Sequence, residues 1–252
     1  MNMAMQRFRY ELDMDRAIRA IKVYNASPCS QAGERLLDVA FSDFHVALAP
    51  AGVHERVVLL DGLWGTRLFM ERGAPDRIAS SLANKSAEIS GLFESLADND
   101  LIERPDQVTA IAQQIMPVIL NQVGENGEKY RQNYSFASKF FHWCTRQHFP
   151  IVDKNARTAI NQMQRDQGAV ARVRSDTTAM GGLTYLREYG RWIMFYSDLL
   201  HGLGENDAER LRQADHDSQT ATYRVQNSVL RILDKYFYVQ GGGSVQGRTV
   251  EA

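Results

Sequence analysis

The stretch from Tyr134 to Arg157, YSFASKFFHWCTRQHFPIVDKNAR, reads as helix, extended return and helix, and its reading decides the fold. A largely aromatic and apolar helix is expected from about Ser135 to Gln147, an extended run from His148 to Val152, and a second helix from Asp153 to about Gln167. Helical periodicity continues on both sides. Upstream, Asp13 to Tyr24, Ser30 to Leu48, His54 to Met70, Pro75 to about Leu96 and Pro105 to about Val123 read as helices. Pro75 and Pro105 suit first helical turns, whereas Pro117 should kink its helix or displace one hydrogen bond. The stretch GENGEKYRQNY and residues Gly168 to Arg174 read as loops. Downstream, two long helices run from about Thr184 to Leu203 and from Ala208 to Val239. With no internal repeat and no convincing strand pair, the chain is expected to be all-α. One compact domain in two helical lobes spans residues 1–239, and a disordered glycine-rich tail spans 240–252.

Composition narrows the function classes. The chain has 252 residues, 44% hydrophobic and 23% charged, which is ordinary globular usage and long enough for a substantial core. No apolar run reaches the roughly 18–20 residues that span a bilayer. The N-terminal MNMAMQRFRYELDMDR lacks an apolar signal segment, so a cytoplasmic location with no membrane association is expected. Two cysteines, Cys29 and Cys144, make neither a disulfide framework nor a metal cluster, so no metal is expected. The net charge of −1 hides an asymmetry. Residues 129–174 hold nine basic and two acidic side chains, a net of +7, which leaves −8 for the rest. One basic face in a mildly acidic protein is the distribution that meets phosphates.

Within that basic stretch, Lys139 lies about one turn into an apolar helix. A lysine so placed is desolvated, which favours its neutral, nucleophilic form. The helix from Lys139 to Gln147 advances about 12 Å, and the run from His148 to Val152 can return roughly 16 Å. Asp153 can therefore come back beside Lys139. Two plainer roles stay open: Asp153 as a helix N-cap, and Lys139 with its amine extended to solvent. His142 and Trp143 follow Lys139 closely enough to line the same cavity, or belong to the core. Trp64, Thr66 and Arg67 interrupt an apolar helix in the same polar and aromatic manner.

The string resembles the active-site region of the helix-hairpin-helix DNA glycosylase superfamily, especially its 8-oxoguanine and archaeal branches. In those enzymes a catalytic lysine opens a helix and an aspartate follows an apolar turn; Lys139 matches the lysine, and Pro150-Ile151-Val152-Asp153 the aspartate turn. It is also similar to bacterial proteins of that fold, some tied to phage defence or modified phage bases, that carry an FASK…FPI-D pattern. The glycine-rich hairpin of the family is absent, Asn133 to Ser138 standing in its place, and the lysine-to-aspartate interval is shorter than in the main 8-oxoguanine branch. The two cysteines exclude the iron–sulfur cluster some relatives carry.

The resemblance implies an N-glycosylase without cofactor, acting on double-stranded DNA whose damaged or modified base is flipped out, with possible lyase activity. Lys139 and Asp153 are then catalytic. His142, Trp143, Trp64 and Thr66 line the base pocket, and Arg146, Lys154, Arg157, Arg172 and Arg174 contact phosphates. Two other classes remain: a non-catalytic helical DNA-binding or phage-defence subunit, and a base or nucleotide transferase of the same fold.

Overall fold

The computed structural model describes residues 7–121, 132–169 and 182–243, with the side chains of 182–185 left aside. Arg172, Arg174, most of the two polar loops and residues 244–252 of the tail lie outside the described residues. Among the described residues there are thirteen α-helices and no strand. They are α1 (Met14–Asn25), α2 (Pro28–Ala40), α3 (Phe44–Leu48), α4 (Pro50–Trp64), α5 (Ala74–Asn84), α6 (Ser86–Glu94), α7 (Asp100–Glu103), α8 (Pro105–Leu120), α9 (Tyr134–Thr145), α10 (Lys154–Asp166), α11 (Gly182–Gly202), α12 (Gly204–Ser218) and α13 (Val229–Gln240). None is long and apolar enough to cross a membrane.

The chain is all-helical, but four of the long helices expected from periodicity are broken, each for a local reason. The run from Ser30 to Leu48 breaks after Ala40, because Asp43 caps α3 by accepting the His45 N–H at 2.9 Å. Helix α3 ends at Leu48 and Pro50 opens α4, since proline at N1 forfeits no intrahelical bond. Helix α4 ends at Trp64, where Gly65 takes a left-handed conformation, and Leu68–Met70 form a separate 3₁₀ turn. Lys85 divides the run from Pro75 to Leu96 into α5 and α6. The last expected helix is two helices, because Ser228 caps α13, its Oγ accepting the Arg231 N–H at 3.2 Å. Pro117 stays inside α8, where its missing N–H removes one helical hydrogen bond.

Helices α1, α10, α12 and α13 pack together, and α4, α5, α8, α9 and α11 form the other principal contacts. One apolar core runs through both groups, from Tyr10 and Ile21 through Val57, Ile115 and Phe140 to Ile193 and Phe237. Helix α9 is central to it: every residue from Phe136 to Cys144 is buried. A helix buried on all sides must bury its polar groups as well, and two of these, Ser138 and Lys139, point at what it positions. Gly241 at the end of α13 lies directly against the Asn155 carbonyl, an approach that no side chain would permit. It seats α13 hard against the first turn of α10, just behind Asp153.

Candidate active site

The return from α9 to α10 is fixed by side chains. The His142 Nδ1–H donates to the Phe149 carbonyl at 2.9 Å, His148 Nε2–H to that of Ala97 at 2.8 Å, and the Tyr189 hydroxyl to that of Pro150 at 2.8 Å. The Val152 N–H donates to Ser138 Oγ at 3.1 Å, joining the residue before Asp153 to the residue before Lys139. Ser138→Ala leaves that buried N–H without a partner and is expected to cost about 1–3 kcal/mol in a urea melt. A loss below about 0.5 kcal/mol would show that the serine does not hold the return.

With the return pinned, Lys139 Nζ lies 3.6 Å from Asp153 Oδ2. Asp153 also caps α10, its Oδ1 accepting the Ala156 N–H at 2.9 Å. The cap and the lysine thus use different oxygens, so capping and chemistry are compatible. Lys139 is 8% exposed, and its Nζ sits 5.5 Å from the centre of the Trp64 ring. Both Lys139 and Asp153 line a cavity of about 340 Å³, together with Trp64, Tyr24, Arg231, Asp234 and Tyr238.

Behind the cavity lies a buried ionic cluster. Arg231, 3% exposed, is bonded to the carboxylates of Glu34 and Asp234 and accepted by the Tyr24 hydroxyl at 2.7 Å. Its guanidinium carbon stands 4.8 Å from the Trp64 ring centre. Lys235 reaches Glu34 at 2.9 Å and Asp215 at 2.7 Å. Burial works to raise the Glu34 carboxyl, but Arg231 and Lys235 outweigh it and hold the group at about 2.

Of the residues expected at the base pocket, only Trp64 lines the cavity. Trp143 is buried behind it, ring centres 5.6 Å apart and edge to face. Thr66 turns away because its hydroxyl donates to Asp61, whose carboxylate also accepts the Leu68 and Phe69 N–H groups. His142 is buried against the return segment, its imidazole held near 3 by burial and next by the Arg231 charge. The unfolded chain therefore binds more protons between pH 3 and 6.5, and this histidine's contribution to stability, complete above 6.5, is lost as pH falls toward 3. The stability gap between the native protein and His142→Gln should shrink by about 1.4 kcal/mol per unit in that window; a gap that does not vary with pH rules this out.

The phosphate candidates separate in the same way. Arg146 ends α9 in a left-handed conformation, and its guanidinium is taken up by Asp38 Oδ1 and the Asp38 carbonyl, both at 2.7 Å. Its side chain stays partly exposed beside that carboxylate. Lys154 is exposed and Arg157 half-buried on the first turns of α10, beside Asp153. Sequence reasoning missed Arg231, Asp234, Tyr24 and Tyr238. The signal was present in VLRILDKYFYVQ: charges at positions 231, 234 and 235 share one face of an otherwise apolar helix.

The two cysteines also separate. Cys29 is exposed and lines the cavity, whereas Cys144 is buried, which pushes its thiol well above the usual range. Maleimide should add once to the native protein, at Cys29, and a second time only in denaturant. Intact-mass spectra showing two native adducts would contradict this burial.

Comparison with protein-family models, with curated proteins and with solved structures gives no match to this chain.

Proposed function

We propose that the protein is a lysine-dependent DNA N-glycosylase of the helix-hairpin-helix type, acting on a base flipped out of double-stranded DNA. The observation that carries this reading is the placement of Lys139 Nζ 3.6 Å from Asp153 Oδ2 on the wall of an aromatic-lined cavity. At about 340 Å³ the cavity falls in the range of about 300–1,000 Å³ typical of small-ligand pockets.

The chemistry follows from the pair. The Lys139 amine attacks C1′ of the flipped nucleotide as the bond to the base breaks, and Asp153 receives the proton the amine sheds. The Asp153 carboxylate also stabilises positive charge developing on the sugar. Collapse of the adduct to a Schiff base opens the route to elimination of the 3′ phosphate. The Trp64 and Tyr238 rings offer faces for an unstacked base. Lys154 and Arg157 are the proposed phosphate contacts among the described residues.

Borohydride trapping tests the reading. Duplexes bearing an abasic site or one of a panel of damaged and modified bases should yield a covalent protein–DNA adduct. If no adduct and no abasic site forms on any duplex while binding persists, the reading fails in favour of a binding module.

A further inference from the structure

The buried charges behind the cavity do not balance when all are ionised. Arg231 and Lys235 stand as two cations against three acids, Glu34, Asp215 and Asp234. Glu34 is bonded to both cations. Asp215 accepts hydrogen bonds from Asn25, Gln219, Asn227 and Lys235. Among the described residues Asp234 has only its Oδ2 on Arg231, a cation that Glu34 already neutralises, and it alone of the three acids lines the cavity. The cluster therefore places its least engaged acid in the wall shared with Lys139 and Asp153, and a proton on that acid removes the excess negative charge.

Resting on the glycosylase reading, we propose that Asp234 is a second catalytic acid of this site, which protonates the departing base while Lys139 attacks the sugar. The bond between C1′ and the base breaks as the bond from Lys139 Nζ to C1′ forms. The electron pair of the broken bond leaves with the base, which takes the proton of the Asp234 carboxyl. The attacking amine gives its proton to Asp153. Asp234 ends as a carboxylate beside Arg231 and Asp153 as a carboxylic acid, and exchange with water restores both. Two carboxyls thus divide the work, Asp153 on the sugar and Asp234 on the base.

The surroundings fit a group that holds a proton near neutrality. Burial, then the charges of Asp153 and Glu34, push Asp234 up to about 7 against the pull of Arg231 and Lys139. The other groups facing it are Tyr24 on α1, Tyr196 on α11 and Tyr238 on α13, all pushed above their usual value by burial and so neutral here. Asp234 is the member of this set expected to change charge between pH 6 and 8, and base release should fall as pH rises through about 7.

Abasic-site capture and base release separate this assignment from the function it rests on. The full-length protein and Asp234→Asn are compared across the neutral range. Borohydride trapping uses a duplex with one abasic site, and single-turnover release uses duplexes bearing 8-oxoguanine, uracil, hypoxanthine or 5-hydroxymethylcytosine. Asp234→Asn should still be trapped on the abasic duplex, release base about 100-fold more slowly below neutrality, and lose the decline on the alkaline side. Equal release by both proteins at every pH overturns the assignment and leaves the glycosylase reading standing. So does a parallel loss of trapping and release, which marks Asp234 as a positioning residue. If the asparagine variant does not fold, Asp234→Glu decides: it should keep release and move the pH of the decline, and an unmoved decline overturns the assignment. Wild-type protein that neither traps the abasic duplex nor releases any of these bases removes the glycosylase reading and the assignment with it; trapping without release of any base overturns the assignment alone.

Discussion

Lys139→Ala is expected to abolish the covalent adduct on every duplex that the native protein captures, while the protein remains folded and still binds DNA. Covalent capture needs an amine at C1′, and Lys139 is the amine that meets Asp153 on the cavity wall. Loss of a nucleophile of this kind removes turnover rather than slowing it, in contrast to the factor of about 10²–10⁴ expected for loss of an acid or base. Lys235 also lies behind this cavity but is fully buried and committed to Glu34, Asp215 and Asn25, so it offers no substitute. Reduction with borohydride followed by denaturing electrophoresis reads the result directly. An adduct of undiminished yield in Lys139→Ala would remove Lys139 from the chemistry and with it the mechanism proposed above.

Glu34→Ala should have the largest effect on stability, a loss of about 3–5 kcal/mol, because two buried cations each lose one of their two carboxylates at once, Arg231 keeping only Asp234 and Lys235 only Asp215. Arg231 and Lys235 are 3% and 0% exposed, and both are bonded to Glu34. A typical domain is stable by only about 5–15 kcal/mol, so the variant should sit near the edge of folding at 25 °C. The exposed pair Arg212–Glu209 provides the contrast: Arg212→Ala should cost no more than about 0.5 kcal/mol. Urea denaturation of both variants tests the difference, and a Glu34→Ala loss below about 1 kcal/mol would mean that water reaches the cluster and replaces the lost partner. Because Glu34 is held at about 2, its contribution is complete above 4.5 and disappears as pH falls through about 2.

The same cluster explains how an aromatic cavity can carry a firmly placed cation. The Lys139 amine and the Arg231 guanidinium both lie near Trp64, 5.5 and 4.8 Å from its ring centre. Cation and ring attract, yet attraction alone would not orient Arg231. Glu34, Tyr24 and Asp234 accept from its two terminal nitrogens and fix the plane of the guanidinium. A site held in this way loses little entropy when a substrate enters, which is the physical basis of preorganised electrostatic catalysis.

Helical class and the Lys139–Asp153 pairing could be read from the chain because both depend on short-range geometry. Periodicity of 3.6 marks helices, and the five residues from His148 to Val152 have just the reach to reverse the path of α9. Helix ends were less legible. A cap such as Asp43 or Ser228 competes with continued periodicity by only about 1 kcal/mol, and packing decides between them. Arg146 shows the limit for charge: its sequence neighbours make it a phosphate candidate, but Asp38, 108 residues earlier, takes its guanidinium. Thr66 is likewise claimed by Asp61, and His142 by Phe149, so neither reaches the cavity.

By itself the sequence determined an all-helical chain, a basic central stretch and a lysine and aspartate spaced to meet. Only the tertiary structure decided what stands opposite them. Arg231 and Asp234 arrive from the far end of the chain because α13 packs on both α1 and α10, with Gly241 against Asn155. Glu34 comes from α2 to neutralise Arg231, nearly two hundred residues away. Such contacts carry no local spacing signal: a buried charge is tolerable wherever folding supplies its partner, and sequence distance places no limit on that partner.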